Sequence, residues 1–250
     1  MKILYKLVHA LYVLWAGLLF IMLMFVVVLL VIPASFFGRI RGGNFIYQLC
    51  RAWGGTWFAL IGIRQRNIYL APHDPHRACI FVANHISYMD IPAIIKALQQ
   101  PTRILGKAEM AKIPVFGYIY SRAAVMVDRS SPDHRARSVK ILKSVLKKGI
   151  SIMIFPEGTF NLTEQPLKDF YDGAFRIAIE TGTPIKPVLL PDTLARLHYR
   201  SIFSLTPGRM RAVFMDEVGV EGLTLADMPA LKAKVHALMT EQLTKLGYLS

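Results

Sequence analysis

Cysteine is nearly missing from this 250-residue chain, which has only Cys50 and Cys79. One lies in an apolar N-terminal stretch and the other in a strand-like run. A disulfide framework is therefore excluded as the basis of the fold, and a reducing compartment is expected. Acidic residues are also scarce: 16 Asp and Glu stand against 30 Lys and Arg, a formal net charge of +14. That balance suits anionic lipid surfaces or phosphorylated substrates. Nucleic acid is not expected, because no aromatic platforms are interleaved with the cations. No Gly-x-Ser-x-Gly elbow occurs, which argues against an α/β-hydrolase esterase. Repeats, low-complexity tracts and long linkers are absent too, so the length fits one substantial core with an appendage.

What the chain has in excess is apolar residues, 54% of the total. They are concentrated in Leu11–Val31, LYVLWAGLLFIMLMFVVVLLV, which carries no charge and no proline. About 20 such residues at about 1.5 Å rise match a hydrocarbon core of about 30 Å. A secretory signal peptide has an apolar region of only about 7–15 residues, so a retained membrane helix is the expectation. Pro33 is expected to stop it, with Arg39 and Arg41 at the boundary. Asn44–Ile63 follows as a second helix whose Phe45, Trp53, Trp57 and Phe58 suit the headgroup level or a packed helix face. Lys2 and Lys6 on one side and Arg39 and Arg41 on the other leave crossing and re-entrant arrangements both open.

Beyond residue 63 the pattern alternates as in an α/β domain. Strands are predicted at Ile63–Leu70, Ala78–Val82, Thr102–Leu105, Ala124–Val127, Ile150–Phe155, Ile185–Leu190 and Arg211–Phe214. Helices are predicted at Pro92–Leu98, Val115–Arg122, Pro132–Lys148, Gly173–Thr181 and Met228–Leu246. The unbroken apolar run at 150–155 reads as a strand buried on both faces. The last helix is expected to turn Leu231, Val235, Leu238 and Leu246 inward, with Asp227 as its cap. The fold class expected is α/β, with a mixed, largely parallel central sheet flanked by helices. A membrane-anchoring helical segment, 1–62, precedes the α/β domain, 63–250.

Two constellations carry chemistry. Phe81–Asp90, FVANHISYMD, sets His85 just past a strand end, where open α/β sheets bind ligands. An imidazole there can take a proton from a hydroxyl, and a carboxylate on its other nitrogen would hold the tautomer. Asp90 can be that carboxylate only if Ile86–Met89 turn tightly, because residues five apart on one helix point about 140° from each other. Chance alone supplies a His-x4-Asp in about one chain in four of this composition, and Asp90 could simply cap a helix. The second constellation is Phe155–Thr159, FPEGT, after the most buried-looking strand. Pro156 ends sheet pairing, Glu157 presents a carboxylate, and Gly158 lets backbone approach a ligand. His73-Asp74-Pro75-His76 reads as a polar turn rather than a metal cluster, and no metal is expected.

Asn84-His85-Ile86-Ser87-Tyr88-Met89-Asp90 followed by FPEGT resembles the glycerolipid acyltransferases, and most closely those acting on 1-acyl-glycerol-3-phosphate. Landmarks between and after them agree in order: Lys107-Ala108-Glu109, Ile113-Pro114-Val115-Phe116-Gly117, Val127-Asp128-Arg129, and Pro184–Val188. The resemblance covers roughly 65–215. It implies direct transfer of an acyl chain from acyl-CoA or acyl carrier protein, as co-substrate, to a lysophospholipid acceptor, with no bound cofactor. His85 would be the base and Asp90 its orienting partner. Asn84, Glu157, Gly158 and Thr159 would bind substrate, with Lys107 and Arg129 at the phosphate. Membrane lipids would be partners, and the enzyme would sit on the inner (cytoplasmic) membrane with its catalytic domain in the cytoplasm. The chain departs from the family at Phe160, where an arginine thought to hold the phosphate is usual. Lys186 either replaces that charge or keeps its head in solvent. A different lysolipid, such as lyso-ornithine lipid, and a non-catalytic anionic-lipid-binding protein are the alternatives.

Overall fold

The computed structural model describes residues 2–127 and 132–248, with only the helical backbone described over 132–135. Helix α1 spans Lys2–Ser35 and α2 spans Gly43–Leu60, joined by a short π-helical turn at Gly38–Gly42. Strands β1 (Ile63–Tyr69), β2 (Ile80–Ala83), β3 (Thr102–Lys107), β4 (Ala124–Val127), β5 (Ser151–Ile154), β6 (Ile185–Leu189) and β7 (Gly208–Phe214) form one sheet. Its order is β1-β7-β6-β2-β5-β3-β4. Every neighbouring pair is parallel except β6 and β7, so β1 and β7 run against the rest. The fold class read from the sequence holds, and each predicted strand exists with ends moved by at most a few residues.

Helices α3 (Asp90–Ala97), α4 (Phe116–Ala123), α5 (Pro132–Leu146), α6 (Gly173–Thr181), the single turn α7 (Thr193–Arg196) and α8 (Met228–Lys245) complete the chain. The sheet is sandwiched. On one face α1, α2 and α3 share a core with Phe81, Met153, Val188 and Phe214. On the other, α5, α6 and α8 cover Ile80, Val82, Ile152 and Ile154. Strands β2 and β5 are buried along their whole length, as an apolar run on a central strand requires.

The connections decide where the site lies. From β2 the chain crosses over β5 through α3 to reach β3; from β5 it crosses back over β2 through α6 to reach β6. Neighbouring strands thus send their outgoing segments to opposite faces, which opens a crevice at their carboxyl ends.

Three details differ from expectation. Helix α1 runs through Pro33 to Ser35, because a proline in the last turn removes one backbone donor without stopping the chain at once. Asp227 does not cap α8 with its side chain; its carboxylate reaches back to the Thr224 N–H and hydroxyl. The buried seam of α8 is Leu231, Val235, Met239 and Leu243, a spacing of four, which leaves Leu238 exposed.

Helix α1 is long and apolar enough to cross a membrane, yet one side of it is packed. Ala16, Leu19, Val27 and Val31 are buried against α2 and α4, and Trp57 Nε1 donates to the Ala16 carbonyl. The opposite side exposes Leu11, Leu14, Trp15, Leu18, Met22, Phe25 and Leu29 in one continuous stripe. An uninterrupted apolar face of this length is a docking surface for something equally apolar.

Candidate active site

The Ile86–Met89 turn is present. Ser87 carbonyl accepts from the Asp90 N–H, and Asp90 becomes the first residue of α3. Its fully buried carboxylate then faces back across the turn. Asp90 Oδ2 accepts from His85 Nδ1 at 2.9 Å, from the Ile86 N–H at 2.7 Å and from the Ser87 N–H at 2.8 Å. Asp90 does not act as a helix cap: the same oxygen that gathers two backbone amides of the preceding turn also holds the imidazole. With Nδ1 donating to Asp90, the remaining nitrogen Nε2 is the tautomer's acceptor. It has no partner among the described residues. The His85 side chain is 16% exposed and the Asp90 side chain 0%, so the ring alone reaches the crevice.

The aromatic surroundings fix the ring plane. Phe155 lies flat on His85, centroids 4.0 Å apart, and Phe160 meets its edge at 4.5 Å. Tyr88, itself exposed, stands against Phe160 in turn. Phe160 therefore occupies the wall beside His85, and that wall is apolar.

FPEGT approaches His85 from β5. Gly158 has φ of +71°, the left-handed region that glycine reaches without strain. This bend aims Glu157 inward. Its Oε1 accepts from the His85 N–H at 2.7 Å and its Oε2 from the Lys168 N–H at 2.9 Å. The Asn161 N–H then donates to the His85 carbonyl at 2.7 Å, so the loop clamps both sides of the His85 peptide. Burial pushes the Glu157 carboxyl up to about 7, opposed by those two N–H groups and reinforced by the nearby Asp90 charge.

Two expected substrate ligands lie inside the fold and are held by backbone groups. Glu157 is fully buried, and each of its oxygens accepts from a backbone N–H, one of them that of His85. Asn84 is likewise buried: its amide exchanges hydrogen bonds with the Leu190 N–H and carbonyl and tethers β2 to the end of β6. Thr159 is exposed and its hydroxyl accepts from Lys168 Nζ at 2.8 Å; Gly158 lies beside it. Lys107 is exposed at the carboxyl end of β3, two strands from β2, or about 10 Å across the sheet. Arg129 lies outside the described residues. Lys186 neither replaces the missing arginine nor reaches solvent. It is buried near the amino end of β6, where Nζ donates to the Pro72 carbonyl and pairs with Glu217 at 3.8 Å. In the His73–His76 turn the Asp74 carboxylate accepts from the His76 N–H, and His73 stacks on Tyr69.

The Pro-x-x-Gly stretch has its own steric reason. A Cβ on Gly117 would run into the Ala111 carbonyl, and Val115 is held at φ of +62°. A β-branched residue there is strained, a feature that clusters beside working sites.

Sequence reasoning missed three supports. Asn161, in a sequon-like triplet, organises the loop through its side chain to Thr163 and Gln165. Ser87 is buried and joins the turn to the Leu197 carbonyl. Tyr248, far along the chain, brings its hydroxyl to the Asn84 amide. Phe155 was visible as a strand residue, but only the fold shows that it stacks on His85.

A family model described as Acyltransferase matches residues 64–190. The 1-acyl-sn-glycerol-3-phosphate acyltransferase of Haemophilus influenzae is 28% identical over 197 residues, covering 78% of this chain and 80% of that protein. That of Cocos nucifera is 37% identical over 116 residues, 46% of this chain and 37% of its own length. The crystal structure of a 1-acyl-sn-glycerophosphate acyltransferase from Thermotoga maritima superposes with a TM-score of 0.74 at 24% identity, covering 99% of this chain and 98% of that one. The matched segment runs from β1 to the end of β6 and contains both the His85–Asp90 pair and the loop that clamps it, so the chain belongs to the acyltransferase family and is an acyltransferase enzyme.

Proposed function

We propose that the protein transfers an acyl chain from a thioester, acyl-CoA or acyl carrier protein, to the sn-2 hydroxyl of 1-acyl-glycerol-3-phosphate, giving phosphatidic acid. The observation that carries this is the His85–Asp90 pair: Nδ1 is held at 2.9 Å by a fully buried carboxylate while Nε2 faces the crevice. Nε2 takes the proton as the hydroxyl oxygen attacks the thioester carbonyl. The carbon–sulfur bond breaks, and the imidazolium returns the proton to the departing thiolate. Asp90 stabilises the transient positive charge. Thr159 and Gly158 at the loop tip and Lys107 at the end of β3 are the groups on this edge suited to the acceptor's glycerol and phosphate, and the family resemblance adds Arg129, which lies outside the described residues.

The names of the relatives support the acceptor. The apolar stripe of α1 supports a seat on the membrane, where the acceptor and product reside. Because the inner side of α1 is packed on α2, the geometry suits a helix lying against one leaflet of the cytoplasmic membrane, with the catalytic domain on the cytoplasmic side.

The test is turnover: membranes holding the protein are incubated with a panel of lysolipids and both donors, and products are identified by mass spectrometry. Phosphatidic acid from lysophosphatidate is expected, and His85→Ala should abolish it in a folded protein. Near-normal turnover by that variant would sink the general-base role. Phe160 favours one alternative, a lysolipid whose headgroup is less dependent on an arginine there, such as lyso-ornithine lipid.

A further inference from the structure

A second concave site lies on the α1–α2–α3 side of the sheet, away from His85. It is a cleft of about 640 Å³ between α2, β1 and the end of α3. Helix α3 begins in the active site at Asp90 and ends at Ala97, so about 12 Å of helix separates the cleft from the catalytic turn. The volume is that of an ordinary small-ligand pocket, but the lining is polar, which suits a headgroup better than an acyl chain.

Its charge is of one sign. Arg51, Arg66 and Lys96 line it, and no lining residue is acidic. Neither Arg51 nor Lys96 has an acidic partner among the described residues. Arg51 leans on neutral oxygens, donating to Gln48 Oε1 at 2.6 Å and to the Gln99 carbonyl at 3.3 Å. Lys96 has its ammonium pushed below the ordinary lysine range by burial and then by the Arg51 charge. Two cations gathered in a half-buried cleft repel each other, and a fold that keeps them there without a counter-charge has room for an anion.

The amides complete the chemistry. Gln65 and Asn67 spend their NH2 groups on the Ala93 and Ala97 carbonyls of α3. Gln65 Oε1 is left as an acceptor with no partner, and Arg51 Nε as a donor with none. A ligand that answers both carries an anionic oxygen and a hydroxyl. Gln48, Ala52 and Gly55 place the mouth on the outward side of α2, and the other side of α2 holds α1. The cleft thus lies across α2 from the helix whose bare apolar stripe we read as lying on a bilayer.

We propose that this cleft is a second lipid site, one that takes the phosphate and hydroxyl of an anionic glycerophospholipid headgroup and is separate from the catalytic crevice. Its source in the bilayer rests on the membrane reading of α1; its phosphate chemistry does not. In this role it would hold the enzyme at membranes rich in anionic lipid.

The test uses the full chain in neutral detergent. Soluble short-chain phosphatidylglycerol, kept below its micelle concentration, is titrated calorimetrically beside short-chain phosphatidylcholine and inorganic phosphate. Saturable binding of phosphatidylglycerol is expected, weakened about thirtyfold in the Arg51→Gln/Lys96→Gln variant, at about tenfold or less per charge. The same variant should keep wild-type acyl transfer in detergent. Lys147→Gln/Lys148→Gln removes equal charge from an exposed turn after α5 and should leave the binding intact. Inorganic phosphate binding as tightly, with the same loss in the first variant, would uphold the anion site and assign it to the free ion. Equal loss in both double variants, or no preference for phosphatidylglycerol over phosphatidylcholine, overturns the proposal. Loss of turnover in the wild type with headgroup binding intact would instead count against the catalytic reading alone.

Discussion

Replacing Asp90 by asparagine separates the electrostatic part of the site from its shape. Three donors converge on Asp90 Oδ2, and the other oxygen, Oδ1, is buried with no partner. An amide oxygen in the Oδ2 position keeps all three hydrogen bonds, so the turn and the imidazole stay in place. The amide nitrogen then falls where Oδ1 had no partner, and its two stranded donors cost about 1–3 kcal/mol of stability. The charge is what vanishes. For a His85–Asp90 separation of 2.9 Å, Coulomb's law at an effective dielectric of about 20 gives about 6 kcal/mol between carboxylate and imidazolium. Part of that is returned by rearranged solvent and dipoles, leaving about 3–5 kcal/mol in the transition state. Turnover should therefore fall about 10²–10⁴-fold, with KM for the lysolipid nearly unchanged. The assay is thioester-dependent product formation by detergent-solubilised protein, with a thermal melt to show that both proteins are folded. A folded Asp90→Asn enzyme turning over within about threefold of wild type would refute the claim that this carboxylate supports the base.

Glu157 should make stability depend on pH. Its folded value of about 7 lies above the ordinary 4.5, so its contribution favours the fold below about pH 4.5 and is lost as pH rises through about 7. The span corresponds to about 3 kcal/mol at most. Glu157→Gln should flatten this slope in thermal melts and lower stability by about 1–3 kcal/mol by setting an NH2 against a backbone N–H; an unchanged slope would contradict the assignment. Phe160→Arg should lower KM for lysophosphatidate about tenfold through a charge-assisted contact, while loosening the edge contact on His85 and costing some turnover. If KM is unmoved, no phosphate comes near this position. Leu18→Glu with Phe25→Glu alters two side chains that are 58% and 51% exposed, so folding should survive. Vesicle binding should drop at least about tenfold in a flotation assay, and full retention would argue that α1 docks on something other than lipid.

Much of the framework was legible because it rests on local patterns. Apolar runs of strand length marked β2 and β5, and β5 is buried on both faces as expected. His85 and Asp90 could be paired in advance because five residues of turn is a short-range constraint. Errors arose where side chains are claimed by distant partners. Asn84 looked free to meet a substrate, yet residues more than a hundred positions away occupy its amide. Lys186 looked like a charge for solvent or phosphate, and the fold buries it beside Glu217. Leu238 was placed inward because its spacing from Val235 allows it, while the actual seam advances by four.

By itself the sequence determined the α/β class, the apolar first helix, and the pairing of His85 with Asp90, since each depends on composition or on contacts a few residues apart. Only the tertiary structure decided which partners each polar residue of those motifs meets. The strand order brings β5 beside β2, so Glu157 and Asn161 clamp the backbone of His85. The same packing seats one side of α1 on α2 and leaves the other bare. Burial and hydrogen-bond partners are properties of the assembled chain.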